Sequence, residues 1–199
     1  MKYFRQLKAD LATGPLLDEL AAFRNRQHRV ALKRDAHLRE GMALRSVRTS
    51  CIGERARRDV HETRWTETSR SLRYTCNFLK TFAAERGVEL GRAKVVLLPA
   101  GRRIQPHVDR GDYYLFRDRY HFVLKSASGS WLKAGDEDVI MREGELWWFN
   151  NKTTHEAANH GAEDCIHLIF DALNADGRRL LAHAERTRAR REAASQPAL

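Results

Sequence analysis

Three residues of the sequence have the types and spacing of a metal-binding set: His107, Asp109 and His155. Side chains at positions i and i+2 of an extended strand point to the same side, so His107 and Asp109 can converge on one point. A second histidine from a distant strand, His155, would complete a set of two imidazoles and one carboxylate. This set leaves open positions on the metal and is typical of non-haem Fe(II) oxygenases. The pattern predicts that these three residues are metal ligands and catalytic residues.

The spacing of His107 and Asp109 is a weak signal by itself, and a single strand histidine is more often structural than metal-binding. The surrounding sequence strengthens the prediction because it is rich in short, strand-like, aromatic segments. After Pro99 these segments alternate with turn residues at nearly regular spacing, which is typical of a β-sandwich or barrel. They are RYHFVLKS, SWLKAG, EDVIM, ELWWFN, HEAAN and CIHLIFD.

Two helices are predicted before this strand-rich part. Apolar residues at helical spacing follow residue 15 and continue among arginines towards residue 40, and a second stripe runs from Thr66 to a stop at Gly87. A strand is predicted near 42–50, and AKVVLLP reads as a buried strand that Pro99 ends. The basic tail after Asp176 is predicted to be a solvated helix up to about Glu192.

Several of these segments together resemble one protein family. RYHFVLKS, GELWWFNN, His155 and HLIFD are similar, in order and spacing, to the aspartyl/asparaginyl β-hydroxylase family of 2-oxoglutarate-dependent oxygenases. The likeness covers roughly residues 94–173. It implies a mainly β fold, a double-stranded β-helix (jelly-roll or cupin barrel) with flanking α-helices.

The resemblance also implies an activity and its cofactors. Members of this family use Fe(II), 2-oxoglutarate and O₂ to insert oxygen into a C–H bond. The implied target is the β-carbon of an Asp or Asn residue in a peptide or protein, although some relatives act on other amino acids or small metabolites.

Four residues are predicted to bind the cosubstrate. Arg119 and His121 share one face of the strand RYHFVLKS, and the resemblance puts these positions in the cosubstrate pocket. An arginine matters there because its planar fork can hold a carboxylate through two parallel hydrogen bonds. Ser126 ends the same strand, and His167 lies near the beginning of the last predicted strand, CIHLIFD.

One position departs from the family pattern. The resemblance implies an arginine ten residues after the distal histidine, where it holds the far carboxylate of 2-oxoglutarate, but this chain has Cys165. Three alternatives follow: Arg119 or Arg103 replaces that arginine, 2-oxoglutarate binds weakly, or the cosubstrate differs. The departure also leaves open a non-catalytic, cupin-type protein that binds a metal or another ligand.

The bulk properties set the remaining limits. The chain has 199 residues, a net charge of +10 and a pI near 9.9, which suggests an acidic partner or a solubilising surface. The three cysteines lack a disulfide spacing, and no apolar run is long enough for a membrane span, so a cytoplasmic protein is predicted. Binding to nucleic acid is not favoured, since the basic residues lack interleaved aromatics.

One domain is predicted, in three parts. They are a mostly helical N-terminal part at residues 1–93, the catalytic β-barrel at 94–173 and the basic tail at 174–199.

Overall fold

The computed structural model describes residues 1–27, 40–47 and 63–194. The strands are β1 (Phe4–Lys8), β2 (Glu40–Val47), β3 (Thr63–Trp65), β4 (Leu90–Leu98), β5 (Arg103–His107), β6 (Arg117–Lys125), β7 (Ser130–Ala134), β8 (Glu137–Val139), β9 (Leu146–Phe149), β10 (His155–Asn159) and β11 (Cys165–Leu173). The helices are α1 (Gly14–Gln27), α2 (Arg73–Arg86), α3 (Asp112–Leu115) and α4 (Ala175–Ala194), with a 3₁₀ helix at Glu67–Ser71. Within these ranges, no helix combines the length and apolar character that a membrane span requires.

The strands form two antiparallel sheets. The larger sheet has the order β1-β9-β6-β11-β4-β2-β3, and the smaller has the order β5-β10-β7-β8. Strands that follow one another in the chain are mostly not neighbours, so the connections cross between the sheets as in a jelly roll. The predicted fold class, a mainly β jelly roll with flanking helices, is confirmed.

The two faces of the larger sheet have different partners, and β6 shows why. Tyr120, Phe122 and Leu124 alternate with His121 and Val123, and alternation sends the two sets to opposite faces. The first set packs in one core cluster with apolar side chains of α1 and α2, including Leu16, Leu20, Leu79 and Phe82. The helices therefore cover the outer face of this sheet.

The inner face of the larger sheet packs against the smaller sheet. Val123, Trp147 and Phe149 form a second cluster with residues of the smaller sheet that include Leu132 and Val139. Trp148 instead packs against the helix-covered cluster. The aromatic pair in ELWWFN is thus divided between the two faces, and Trp147 and Phe149 face the interior of the barrel.

The second predicted helix forms in two pieces. Its first turn is the 3₁₀ helix, and Leu72, at φ −121° and ψ 63°, separates it from α2. The Glu19 carboxylate of α1 accepts the backbone N–H groups of Tyr74 and Thr75 at 2.8 and 3.1 Å. These donors have no partner inside the helix, so Glu19 both caps α2 and attaches it to α1. Gly87 ends α2 with φ 57°, which confirms the predicted stop.

Other predictions on the elements have mixed outcomes. The first predicted helix is present up to Gln27, and its remainder lies outside the described residues. The strand predicted near 42–50 is β2 as far as Val47, and the tail helix is α4. A further strand, β1, was not predicted; it is mostly polar and pairs with β9 at the edge of the larger sheet. The three-part domain division stays a prediction, although β1, β2 and β3 join the larger sheet from the N-terminal part.

Candidate metal centre

Antiparallel pairing brings the two predicted histidine ligands together. His107 is the last residue of β5, His155 is the first residue of β10, and the two are directly opposite in the strand register. Their ring centroids are 4.2 Å apart. Asp109 lies two residues beyond β5, and one ligand atom from each of the three residues lies within 4.8 Å of the others. The predicted triad therefore converges on one point.

The backbone fixes the orientation of both imidazoles. His107 Nδ1 lies 2.8 Å from the Gln105 carbonyl oxygen, and His155 Nδ1 lies 2.9 Å from the Thr153 carbonyl oxygen. A carbonyl oxygen can only accept, so each Nδ1 carries a hydrogen, and in the neutral ring each Nε2 keeps its lone pair. This is the arrangement that metal-binding histidines usually show.

Burial also favours the neutral imidazole at His155. The residue is 5% exposed, and burial lowers its pKa below the usual value for histidine. The His155 imidazole is therefore neutral at neutral pH, as a metal ligand must be.

Asp109 is held by three contacts in the loop after β5. Its backbone N–H donates to the Asn151 carbonyl oxygen at 3.2 Å. Its Oδ2 accepts hydrogen bonds from Arg119 at 2.5 Å and from the Asn151 side-chain amide at 3.0 Å. The same oxygen lies 4.0 Å from His155 Nε2. The carboxylate is thus fixed beside the two imidazoles.

Arg119 is itself held by a buried carboxylate. Asp171 on β11 is 1% exposed and accepts from Arg119 Nε at 2.8 Å and from its Nη2 at 3.2 Å. Tyr113 donates a third hydrogen bond to Asp171 at 3.1 Å. Burial alone would lower the pKa of Arg119, but the carboxylates of Asp171 and Asp109 raise it above its usual value. The guanidinium is therefore permanently charged and joins two carboxylates.

A cavity of about 70 Å³ lies between the two sheets. A single water needs roughly 10–15 Å³, so the cavity holds several groups of that size. Its lining is mostly apolar, with polar atoms from His121, His167, Ser130 and Trp131 and the thiol of Cys165. Among the described residues that line it, none is Arg or Lys.

His121 and His167 form a hydrogen-bonded pair on the cavity wall. Their Nδ1 atoms are 3.1 Å apart. Burial lowers the pKa of His121 well below its usual value, with the neighbouring His167 adding to the effect, and burial lowers the pKa of His167 to about 4. The pair is neutral at neutral pH. The ring of Phe149 lies against both His121 and His155, with centroids 5.0 and 5.2 Å away, and so links the cavity to the triad.

The remaining predicted cosubstrate residues have other contacts. Ser126 Oγ donates to the Met141 carbonyl oxygen at 2.7 Å, and Ser130, four residues on, is the serine that lines the cavity. Arg103 is exposed and pairs with Glu156 at 3.3 Å. Cys165 is 4% exposed and packs with Leu98 and Ala127. The assignment of Arg119, His121, Ser126 and His167 to cosubstrate binding stays a prediction.

The site fits the metal better than it fits the cosubstrate. Two histidine Nε2 atoms and a carboxylate match an Fe(II) ligand set, and Asn151 Oδ1, beside Asp109, is a buried acceptor without a hydrogen-bond partner among the described residues. A metal-bound water could donate to such an atom. For 2-oxoglutarate, the described cavity wall lacks the cation expected to hold the far carboxylate.

Asp171, Tyr113 and Asn151 are not among the site residues that the sequence predicted. Asp171 did leave a signal, since it is a charged residue inside the apolar strand CIHLIFDAL. A buried carboxylate requires a partner, and its cross-strand neighbour in the register is Arg119. The contact of Tyr113 depends on the loop after β5 and had no comparable signal.

The metal centre predicts different outcomes for its ligands. His155→Ala should abolish Fe(II) or Ni(II) binding in anaerobic titration calorimetry, whereas Asp109→Ala should keep weak binding because two imidazoles remain. His160→Ala, at an exposed histidine, is the matched control. Circular dichroism spectra should be unchanged in all three variants. Wild-type metal affinity in His155→Ala would contradict the assignment.

The histidine pair predicts a stability that depends on pH. In the folded protein His167 is protonated only near pH 4, whereas an unfolded histidine is protonated near pH 6.5. Its contribution is therefore full above about pH 6.5 and is lost as the pH falls towards about 4. One such histidine lowers the free energy of unfolding by at most about 1.4 kcal/mol per pH unit.

Urea denaturation at several pH values can measure this dependence. His167→Gln should flatten it relative to wild type, and His160→Gln, at an exposed histidine, should not. Equal slopes in wild type and His167→Gln would show that the buried imidazole does not contribute.

Comparisons with known proteins agree with this architecture. Solved structures with a similar fold include an oxidoreductase of the 2OG-Fe(II) oxygenase family from Burkholderia pseudomallei, with a TM-score of 0.58 and 13% identity over 86% of this chain and 84% of that one. AviO1 from Streptomyces viridochromogenes Tue57 has a TM-score of 0.55 and 13% identity over 87% and 90%. The viral collagen prolyl hydroxylase of Paramecium Bursaria Chlorella virus-1, solved with 2OG, has a TM-score of 0.54 and 9% identity over 87% and 96%.

At these identities the solved structures establish the fold alone. No curated protein sequence matches the chain. The family model described as aspartyl/asparaginyl beta-hydroxylase matches residues 18–175, which is most of the sequence. The chain therefore belongs to the aspartyl/asparaginyl β-hydroxylase family and is a 2-oxoglutarate-dependent hydroxylase.

Proposed function

We propose that the protein hydroxylates a C–H bond of an amino-acid residue, with the β-carbon of Asp or Asn in a peptide or protein as the favoured target. His107, Asp109 and His155 hold the Fe(II). The observation that carries the proposal is the convergence of these three ligands, with each histidine Nδ1 bonded to a backbone carbonyl oxygen.

The residues that would hold the metal already lie close together. The two imidazoles and the Asp109 carboxylate approach the metal position from β5, its loop and β10, and so leave the remaining positions for other ligands. When bound, iron supplies the oxidising chemistry that no side chain can provide. On the inner side, the buried ring of Phe149 packs against the buried His155, with the ring centroids 5.2 Å apart.

The substrate would approach from the opposite side. His107 and Asp109 are half-buried, and most residues of β5, an edge strand of the smaller sheet, are exposed. The net charge of +10 attracts acidic molecules over long range. Both observations support a substrate that presents an acidic segment at the β5 side of the barrel.

The test measures the two products of the proposed reaction together. The protein is reconstituted anaerobically with Fe(II), exposed to O₂ with 2-oxoglutarate, and assayed for succinate with and without Asp- and Asn-containing peptides. Mass spectrometry should detect one added oxygen on a peptide, in amounts matching the extra succinate, and His155→Ala should give neither product. Metal binding without succinate from any peptide or free amino acid would reject the proposal.

A second candidate function is a non-catalytic protein of the same fold that binds a metal or a small ligand. Cys165 at the position of the family arginine favours it, as does a described cavity wall without Arg or Lys. The same assay separates the two functions, because this candidate binds metal and forms no product.

An arginine introduced into the cavity wall should supply the positive charge that the described wall lacks. Cys165→Arg should strengthen 2-oxoglutarate binding, because hydrogen bonds to charged groups contribute roughly 1.5–3 kcal/mol, or about ten- to a hundredfold in affinity. Anaerobic titration with an inert metal measures it, and Cys165→Met controls for side-chain size. Unchanged or weaker binding in Cys165→Arg would indicate that another cation already holds the far carboxylate.

A further inference from the structure

Arg119 makes its contacts with carboxylates of the protein and not with the cavity. Three of its hydrogen bonds go to Asp171 and Asp109, and its side chain is 10% exposed. Its guanidinium also lies over the Tyr114 ring, 5.1 Å from the centroid. An arginine has five N–H donors, so most of its capacity is used before any ligand binds. Arg119 is not among the residues that line the cavity between the sheets.

The contact with Asp171 fixes the orientation of the Arg119 side chain. The two residues are cross-strand neighbours on β6 and β11, and two parallel hydrogen bonds allow a single orientation of the guanidinium plane. Asp171 is buried, and Tyr113 donates to it as well. The outer nitrogen Nη1 of Arg119 is thereby aimed at Asp109, which is on a loop and has no strand to hold it.

Asn151, which is distant from Asp109 in sequence, also donates a hydrogen bond to it. It lies in the turn between β9 and β10, is 1% exposed, and donates its side-chain amide to the same oxygen, Oδ2. The backbone of Asn151 also accepts from the Asp109 N–H. Two donors on one oxygen, from two directions, fix the rotation of a carboxylate about its Cβ–Cγ bond.

We propose that Arg119 and Asn151 are positioning residues for the metal ligand Asp109. Arg119, aimed by Asp171, and Asn151 hold the carboxylate beside the two histidines in the absence of metal. This inference rests on the proposed metal site and differs from the role in cosubstrate binding that the sequence predicts for Arg119.

The positive charge of Arg119 and its hydrogen bond to Asp109 should have opposite effects on metal binding. A cation beside a metal site repels a divalent ion, so the charge of Arg119 opposes metal binding. Its hydrogen bond to Asp109 favours metal binding by removing the cost of ordering the ligand. If Arg119 only neutralises Asp109 in the metal-free protein, its loss should leave metal affinity unchanged or increase it. If Arg119 positions Asp109, its loss should decrease metal affinity.

Three variants disturb the hydrogen bonds that hold Asp109 and keep the net charge of the protein. Arg119→Lys retains the positive charge without the fork. The double variant Arg119→Gln, Asp171→Asn removes one positive and one negative charge together, so Asp171 is not left as a buried carboxylate without its arginine. Asn151→Ala removes the second donor without any change in charge. Arg103→Lys is the matched control, because Arg103 is an exposed arginine paired with Glu156.

Metal affinity is measured with Ni(II), which binds without turnover, by calorimetry on the full-length protein. A ten- to hundredfold loss is expected in the three variants, as is usual when a residue that orients a metal ligand is changed. The visible spectrum of the Co(II)-loaded protein reports ligand geometry and should shift in the same variants. Arg103→Lys should match wild type in both measurements. Thermal unfolding of the metal-free proteins identifies any variant that is unfolded before metal is added.

Wild-type Ni(II) affinity and Co(II) spectrum in Arg119→Lys and in the double variant would overturn the inference. Unchanged metal affinity with a raised requirement for 2-oxoglutarate in Arg119→Lys would overturn it in favour of a cosubstrate ligand. If wild-type protein fails to bind Ni(II), the metal site of the proposed function is refuted first. Normal wild-type binding with unchanged variants refutes only the role of Arg119 and Asn151.

Discussion

A carboxylate that is buried in an apolar strand requires a partner of opposite charge. Asp171 is such a carboxylate, and the arrangement of the candidate site depends on its contact with Arg119. Asp171 lies on β11, between β6 and β4 in the larger sheet, with almost no exposure. Removing one member of a buried ion pair typically costs about 3–5 kcal/mol, because the other charge is left without compensation. Arg119 supplies the opposite charge and extends to Asp109. The same contact that neutralises the sheet interior thus connects it to the loop that carries Asp109, a candidate metal ligand.

The polar groups of the candidate site and the mostly apolar cavity lie in two different regions of the barrel. The polar groups of the candidate site are at one end, where β5 ends, β10 begins and Asn151 lies in the preceding turn. The cavity between the sheets is lined mostly by apolar side chains, and its two histidines are neutral. Phe149 lies at the boundary and contacts a histidine on each side. One aromatic ring therefore separates a site suited to a charged metal from a space with a low dielectric.

Much of this arrangement could be predicted from the sequence, because it depends on local periodicity. Alternation in RYHFVLKS assigns Phe122 to one face and His121 to the other, whichever strands are its neighbours. The HxD spacing brings His107 and Asp109 together in any extended conformation, and His155, a histidine in a distant predicted strand, completes the set of two imidazoles and one carboxylate. What could not be predicted depends on register between distant strands. The pairing of Arg119 with Asp171 requires β6 and β11 to be neighbours in one alignment, and nothing in either segment specifies it.

The hydrogen bond between His121 and His167 has a consequence for the inner surface of the barrel. Two neutral imidazoles joined through their Nδ1 atoms share one hydrogen between those atoms, so the rings must be opposite tautomers. One Nε2 then carries a hydrogen while the other carries a lone pair. The wall therefore has a donor and an acceptor side by side, and moving one hydrogen on each ring exchanges them. A molecule that enters the barrel meets a polar contact whose direction it can reverse at no cost in net charge.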